Sequence, residues 1–307
     1  MTNITVIILI GQEKIHLKRC IEKLAPLKPK CVYLIESQPD DGGVEIAKET
    51  AAQLGLRLET MYHKWPGNQA VQFNWALDEI GAGGGCRCSE DSWILRLDAD
   101  EYLTDETIAK LRGLDVLKFG KGCETSKHPI LETLKLSPEV AGLTLELKRR
   151  FMGGEIRHAT NGIRLLRLWR WGRGRSEERA MDEHIAIDGV SELDELRASG
   201  KVIDFDGAFY DDNLNGLEWW KNKHRGYAKR EAADALAFAR GEIHFKSAKE
   251  AYYRMPRYLR AVIYFGIRYF LKGGFLDGKA GWKWNFWQGL WYRWIVDREI
   301  GRIRCRG

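Results

Sequence analysis

The chain has 307 residues, 44% hydrophobic and 30% charged, which suits one large α/β domain with an appendage or two small domains and excludes a chain too polar to bury a core. A formal net charge of +6 and a sequence pI near 8.9 favour anionic partners such as phosphates, nucleic acid or an acidic membrane face, without choosing among them. The excess is concentrated at one end: residues 252–307 hold twelve Lys+Arg against three Asp+Glu, a balance of +9, together with five of the twelve tryptophans.

"MTNITVIILIG" has no basic start and no small-residue cleavage site, and its apolar run of about six residues is too short for a signal-peptide core. It reads as a strand over residues 4–10, β-branched and therefore covered on both faces, closed by Gly11. Ile15, Leu17, Ile21 and Leu24 fall on one helical face. "CVYLIES" reads as a second buried strand, "PDDGGVEIAKETAAQLG" as a helix closed by Gly55, and "LRLETMYH" as a third strand. A helix over 68–80, a loop at "GAGGGCRCSED" and a fourth strand at "SWILRLDAD" follow. Strands alternating with helices predict an α/β fold with an open, mostly parallel, Rossmann-like sheet that binds ligands at the carboxyl ends of its strands. Between about 120 and 210, "AGLTLELKRRFM", "IRLLRLWRW" and "KVIDFDGAFY" read as strands joined by Gly-rich turns. From Leu217 the chain turns helical, with aromatic-rich segments around 256–272 and 282–300. Cys20, Cys31, Cys86, Cys88, Cys123 and Cys305 show no paired spacing, so zinc is not expected and the thiols read as reduced and cytosolic.

Two of these strands end in carboxylates: Glu36 after "VYLI", and Asp98 and Asp100 after "WILRL". Acids at strand ends are often turn or capping residues. A buried strand that delivers two acids to the ligand edge is also a way to hold Mg²⁺ or Mn²⁺, which prefers oxygen ligands and shares its shell with substrate phosphates.

At "ESQPDDGG" and "DADE" the first hundred residues resemble the inverting family 2 glycosyltransferases of GT-A fold, which use nucleotide-sugar donors. The resemblance implies that Glu36 meets the nucleotide base or ribose, that Asp41 starts a helix, that Asp98 touches ribose or metal, and that Asp100 is the principal metal ligand. Asn74, in "QFNWAL", falls in the helix that contributes to the donor site in that family, with Phe73 standing where a basic residue is common. "MDEHI", "WWKNKHRGYAKREA" and "GGFLDGKAG" look like a bacterial branch that builds polysaccharide, lipopolysaccharide or lipid-linked oligosaccharide. The implied division is a GT-A catalytic domain over 1–215 and a helical region over 216–307. Within the catalytic domain, residues 1–104 would bind the nucleotide sugar and residues 105–215 would form the acceptor side.

Inverting transfer needs a cation for the departing nucleoside diphosphate and a carboxylate to take the proton of the attacking hydroxyl. Asp182 and Glu183 in "ERAMDEHIAI" are the candidate bases, Glu183 first, because relatives often carry a His-Glu pair there; a solvated acidic turn is the bland reading. His184 is either a third metal ligand or a hydrogen-bonded structural histidine. Arg157, Arg164 and Arg167 could hold donor or acceptor phosphates or form a solvated strand face. Lys223 and His224, near Tyr227 and Glu231 on one helix, either order the site's edge or pack in a core.

The arginines at 260 and 268 interrupt an apolar stretch of about 17 residues, so it does not read as a spanning helix, which wants ~20 nearly uncharged residues. Interleaved Arg, Lys, Trp and Tyr fit a helix lying on an anionic membrane surface, and the competing reading packs the aromatics inward and leaves the arginines in water. The expected protein is thus a cytoplasmic, peripherally membrane-associated transferase with a nucleotide-diphosphate sugar donor and a lipid-linked glycan acceptor, and no nucleic-acid partner. A sugar-nucleotidyltransferase would begin with a basic Gly-rich phosphate loop that "ILIGQEKIHLKRC" lacks. A nucleic-acid-binding protein could use the basic tail but leaves Asp98 and Asp100 unexplained.

Overall fold

The β-branched run at the start forms β1 (Ile4–Ile10), with Ile4, Val6, Ile7, Ile8 and Ile10 at most 3% exposed. Apolar side chains on both faces of a strand are stable only at the middle of a covered sheet, and β1 sits there, parallel to both neighbours. On one side lie β2 (Cys31–Glu36) and then β3 (Leu58–Tyr62); on the other lies β4 (Trp93–Asp98). The computed structural model describes residues 2–38, 41–83, 88–89, 91–114, 137–158, 162–177, 184–245 and 247–305.

The chain divides into two compact units, 1–147 with 162–211, and 148–161 with 212–307. In the first, strands from the middle of the sequence extend the parallel half. They are β5 (Glu101–Leu103), β6 (Gly142–Phe151), β8 (Arg164–Arg170) and β11 (Val202–Asp212), in the order β3-β2-β1-β4-β8-β6-β11-β5. The pairs β4–β8, β6–β8 and β5–β11 are antiparallel. A short hairpin, β7 (Gly154–Ile156) on the end of β6, belongs to the second unit.

Helices α1 (Lys14–Leu24), α2 (Gly43–Gln53) and α4 (Asp105–Leu114) cover one face of the sheet, through Leu17, Ile21, Val44, Ala47, Ile108 and Leu111. On the other face lie α3 (Gln69–Gly81), the two-stranded β9 (Gly174–Ser176) and β10 (Ile185–Ile187), and α5 (Leu193–Ala198), through Phe73, Ile80, Ile185, Ile187 and Leu196 around Trp169. Asn68 caps α3 by accepting from the backbone N–H groups of Ala70 and Val71 at 2.7 and 3.2 Å. Asp41 ties two helix starts together, accepting from N–H of Gly43 at 3.0 Å and of Lys14 at 3.1 Å, and so fills the helix-start role that the resemblance implies.

Apart from the β6–β7 hairpin, the second unit is helical. Its elements are α6 (Leu217–Ala239), α7 (Ser247–Arg254), α8 (Leu259–Gly266), α9 (Gly278–Trp284) and α10 (Tyr292–Arg304), with π-helical turns at Ile267–Leu271 and Asn285–Trp291. Small residues on α6 (Ala228, Ala232, Ala235) receive Ile295, Val296 and Ile300 of α10. Two of the tail's arginines do not sit in water as the inward-packing reading expects, while Arg254, Arg257, Arg298, Arg302 and Arg304 do. Arg260 and Arg268 are 3% and 7% exposed. Arg260 is bonded to the buried Asp297 and lies 4.6 Å over the ring of Tyr253. Glu231 accepts from Tyr253 Oη at 2.7 Å, Tyr292 Oη at 2.5 Å and Arg293 at 2.5 Å. A buried charge needs such a partner, and here the aromatic hydroxyls and guanidiniums supply it.

Candidate functional site

Parallel strands all end on one edge, and the register fixes what each brings there. Asp98 stands opposite Leu9, and Glu36 stands opposite Ile10 on one side and Tyr62 on the other. Side chains alternate along a strand, so Asp98 lies on the sheet face that carries α3 and β9–β10, while Glu36 lies on the face of α1 and α2. The two acids share the edge but not the face. Tyr62 and Trp65, 59% and 44% exposed, stand beside Glu36 at the same edge. They are flat surfaces suited to stacking that the sequence reading passed over.

After Asp98 the chain turns through Ala99 and Asp100 and runs into β5. Glu101 folds back, its Oε2 accepting from the backbone N–H of Asp98 at 2.9 Å. Its Oε1 accepts from Arg167 of β8 at 2.5 Å, and Arg167 lies 4.8 Å over the ring of Phe209. Burial, reinforced by the charges of Asp98 and Asp211, outweighs Arg167 and pushes the Glu101 carboxyl up to about 8. Arg167 is therefore the internal partner of Glu101, neither the phosphate ligand nor the solvated strand face of the two sequence readings. Asp98 and Asp100 remain half-buried at the turn.

The register also places Asp211 opposite Glu101. It is an acid at the end of a strand, the same signal that singled out Glu36 and Asp98, and "GAFYDD" carries it in plain view. Among the described residues no three His, Cys, Asp or Glu side chains are grouped to ligate one ion. Asp98 and Asp100 would offer a divalent cation at this turn two hard-oxygen ligands, with phosphate and water completing the shell, a donor set that fits Mg²⁺ or Mn²⁺.

Asn74 has another task than the expected nucleotide contact. Its Oδ1 accepts from Ser176 N–H at 2.9 Å and its Nδ2 donates to Ser176 O at 2.8 Å, so both ends of the amide are spent on pinning β9 to α3. Further down α3, Asp78 bonds Arg175, and Gly81 lies against Trp171. β9 thus runs antiparallel to α3, toward the edge where β4 ends. The hairpin closes with Glu177 N–H donating to His184 O at 2.9 Å. Asp182 and Glu183, which precede His184 directly, lie outside the described residues; His184 itself is exposed.

Arg164 donates to Thr144 Oγ1 at 3.0 Å and to the carbonyls of Thr144 and Phe205, which makes it a clasp across β6, β8 and β11 rather than a free phosphate ligand. The other three candidates belong to the second unit. Arg157 is largely exposed and pairs with Glu155 at 3.1 Å. The backbone N–H of Arg157 and of His158 both donate to Asp277 at 3.1 Å. Lys223 lies 4.9 Å over Trp219. His224 stacks on Trp220 at 3.5 Å and donates from Nδ1 to the Trp220 carbonyl at 2.9 Å. Burial lowers it to about 4. It is neutral at pH 7 and packs against Trp220, which fits the packing alternative for this helix rather than a place among the phosphate ligands. A cavity of about 400 Å³ in this unit is lined by Phe238, Tyr253 and Ile300 together with Arg254, Arg257 and Arg304.

No protein-family model and no curated protein matches the chain. In structure it is similar to S. aureus TarS, with TM-score 0.39 and 12% identity over 90% of this chain and 45% of that one. It is also similar to TarS 1–349 in complex with UDP, with TM-score 0.37 and 12% identity over 100% of this chain and 92% of that one. A third neighbour is a Bacillus anthracis protein assigned as a glucose-1-phosphate thymidylyltransferase, with TM-score 0.34 and 10% identity over 68% of this chain and 89% of that one. The chain spans 45% of the length of the first of these. At such identities and TM-scores nothing is carried over to this chain.

Proposed function

We propose that the protein is an inverting glycosyltransferase of GT-A type. It moves a sugar from a nucleoside-diphosphate donor to a hydroxyl of a lipid-linked glycan, at the cytoplasmic face of the membrane, in cell-surface polysaccharide synthesis. The observation that carries this reading is the turn Asp98-Ala99-Asp100-Glu101 at the carboxyl end of β4. Its last acid is buried and hydrogen-bonded to Arg167, and its first two lie half-buried at the ligand edge. Mg²⁺ or Mn²⁺ held by Asp100 and Asp98 would stabilise the charge on the departing diphosphate. Glu183, with Asp182 as the second choice, takes the proton of the acceptor hydroxyl. Both follow the hairpin strand β9 in the chain, and Asn74 fastens that strand to α3 on the Asp98 face.

Thermal unfolding with a panel of nucleoside-diphosphate sugars, each with and without Mn²⁺, tests the proposal. A donor at 100 times its Kd stabilises the fold by about 2.7 kcal/mol. The expected result is a shift that requires Mn²⁺ and that Asp100→Asn removes while the unliganded midpoint stays in place. A shift indifferent to both the cation and Asp100 would sink the reading.

A further inference from the structure

Within the second unit, α8 presents its apolar side outward. Along this helix and the π-helical turn after it, Leu259, Val262, Ile263, Ile267, Phe270 and Leu271 are 52, 49, 38, 40, 62 and 81% exposed. Their spacing is that of one helical face. The opposite side holds Arg260 and Arg268, both buried, the first bonded to Asp297 and the second to Tyr264 at 3.3 Å. The usual arrangement of a surface helix, apolar inward and charged outward, is inverted.

The outward stripe continues past the helix end. Gly273, at φ 70° in the left-handed region open to glycine, turns the chain so that Phe275 and Leu276 are 48% and 60% exposed. Tyr269 joins these segments into one patch, its ring 5.4 Å from Phe265, 5.1 Å from Phe270, 6.3 Å from Phe275 and 5.5 Å from the half-exposed Trp282. A contiguous apolar patch of this kind marks an interaction surface.

The charges on the same stretch are one-sided. Among the described residues of 252–305, Arg254, Arg257, Lys272, Lys279, Lys283 and three further C-terminal arginines are exposed, and no carboxylate is. The three acids each have a basic partner: Asp277 pairs with His158, Asp297 with the buried Arg260, and Glu299 with the exposed Arg302. Among the described residues no helix is long and apolar enough to cross a membrane.

We propose that this face seats in an anionic lipid bilayer surface. The side chains from Leu259 to Leu276, with Trp282, enter the boundary between headgroups and acyl chains, while Arg257, Lys272, Lys279 and Lys283 meet lipid phosphates. The proposal rests on the membrane-face reading above and adds which face docks, and that Arg260 and Arg268 take no part in it. A second copy of the chain would oppose one positive rim with another, and a nucleic acid would leave the aliphatic stripe uncovered. Lipid answers both the apolar and the cationic features.

Co-sedimentation of the full chain with vesicles of phosphatidylcholine, alone or with phosphatidylglycerol, decides it. The expected result is binding at least about tenfold tighter to the anionic vesicles, lost by about tenfold or more in the double variant Phe270→Asp, Leu271→Asp. Both positions are exposed, so the fold should persist, and Lys272→Glu with Lys279→Glu should reduce anionic binding without touching the stripe. Wild-type protein left in the supernatant with both vesicles, equal binding by the double Asp variant, or a dimer that this variant dissolves would each overturn the proposal. Donor-induced thermal shifts on the same proteins keep the two readings apart. An unchanged shift alongside lost vesicle binding supports docking. Vesicle binding without any donor shift leaves docking standing and removes the transferase.

Discussion

Glu101 shows how one residue organises the turn. It holds the Asp98 N–H with one oxygen and Arg167 with the other, at 6% side-chain exposure. Removing one member of such a buried pair strands the other and costs roughly 3–5 kcal/mol. The pH dependence has a definite sign. Burial raises the folded-state carboxyl from 4.5 to about 8. Between those values the folded state binds more protons than the unfolded one, so this group's contribution is present below pH 4.5 and is lost as pH rises through 8. Denaturant unfolding at about pH 5 and about pH 8 should show the wild type losing stability over that window, and Glu101→Gln, although less stable throughout, should lose less. Equal losses in the two proteins would mean that Glu101 stays ionised across the window and that Arg167 dominates its environment.

At the scale of elements, long periodic segments announced themselves and short ones did not. The β-branched run of β1, the alternating acids and apolar residues of α2 and the apolar stripe of α1 each repeat often enough to fix a period. β5, β7, β9 and β10, at three residues each, are too short to show one, and they exist because their partners pair with them. The same holds for the site. "DADE" was legible as acids at a strand end, but the pairing of Glu101 with Arg167, 66 positions away, is a product of the sheet order. Asn74 is the clearest case: an amide on a helix near the donor edge gives no hint in sequence that its partner is the backbone of Ser176. Its substitution separates two roles. Asn74→Ala leaves the Ser176 N–H and C=O without their partner, at a cost of about 1–3 kcal/mol for buried groups, and loosens β9 where it leads toward Asp182 and Glu183. Transfer should fall while donor affinity, read by titration calorimetry, stays unchanged. A weakened donor Kd with full turnover at saturation would return Asn74 to the nucleotide.

Across the whole molecule the charge is divided rather than spread. Residues 252–307 carry +9 against a whole-chain net of +6, so the remainder is slightly acidic. A protein that gripped nucleic acid through this tail would release counterions for every phosphate neutralised, and its binding would collapse steeply with salt. A lipid-docked tail combines two forces that salt treats differently. Attraction of cations to anionic headgroups is screened as the Debye length shrinks from about 10 Å at 0.1 M to about 3 Å at 1 M. Burial of Leu271, Phe270 and Leu276 in acyl chains is not screened, and each fully buried side chain of this kind is worth about 1.5–3 kcal/mol. Anionic-vesicle binding should therefore fall as KCl rises and then level off at a salt-resistant remainder. That remainder should vanish in Phe270→Asp, Leu271→Asp and survive in Lys272→Glu, Lys279→Glu. A curve that drops to zero at high salt in the wild type would assign the tail to electrostatics alone and leave the exposed stripe of α8 without a lipid partner.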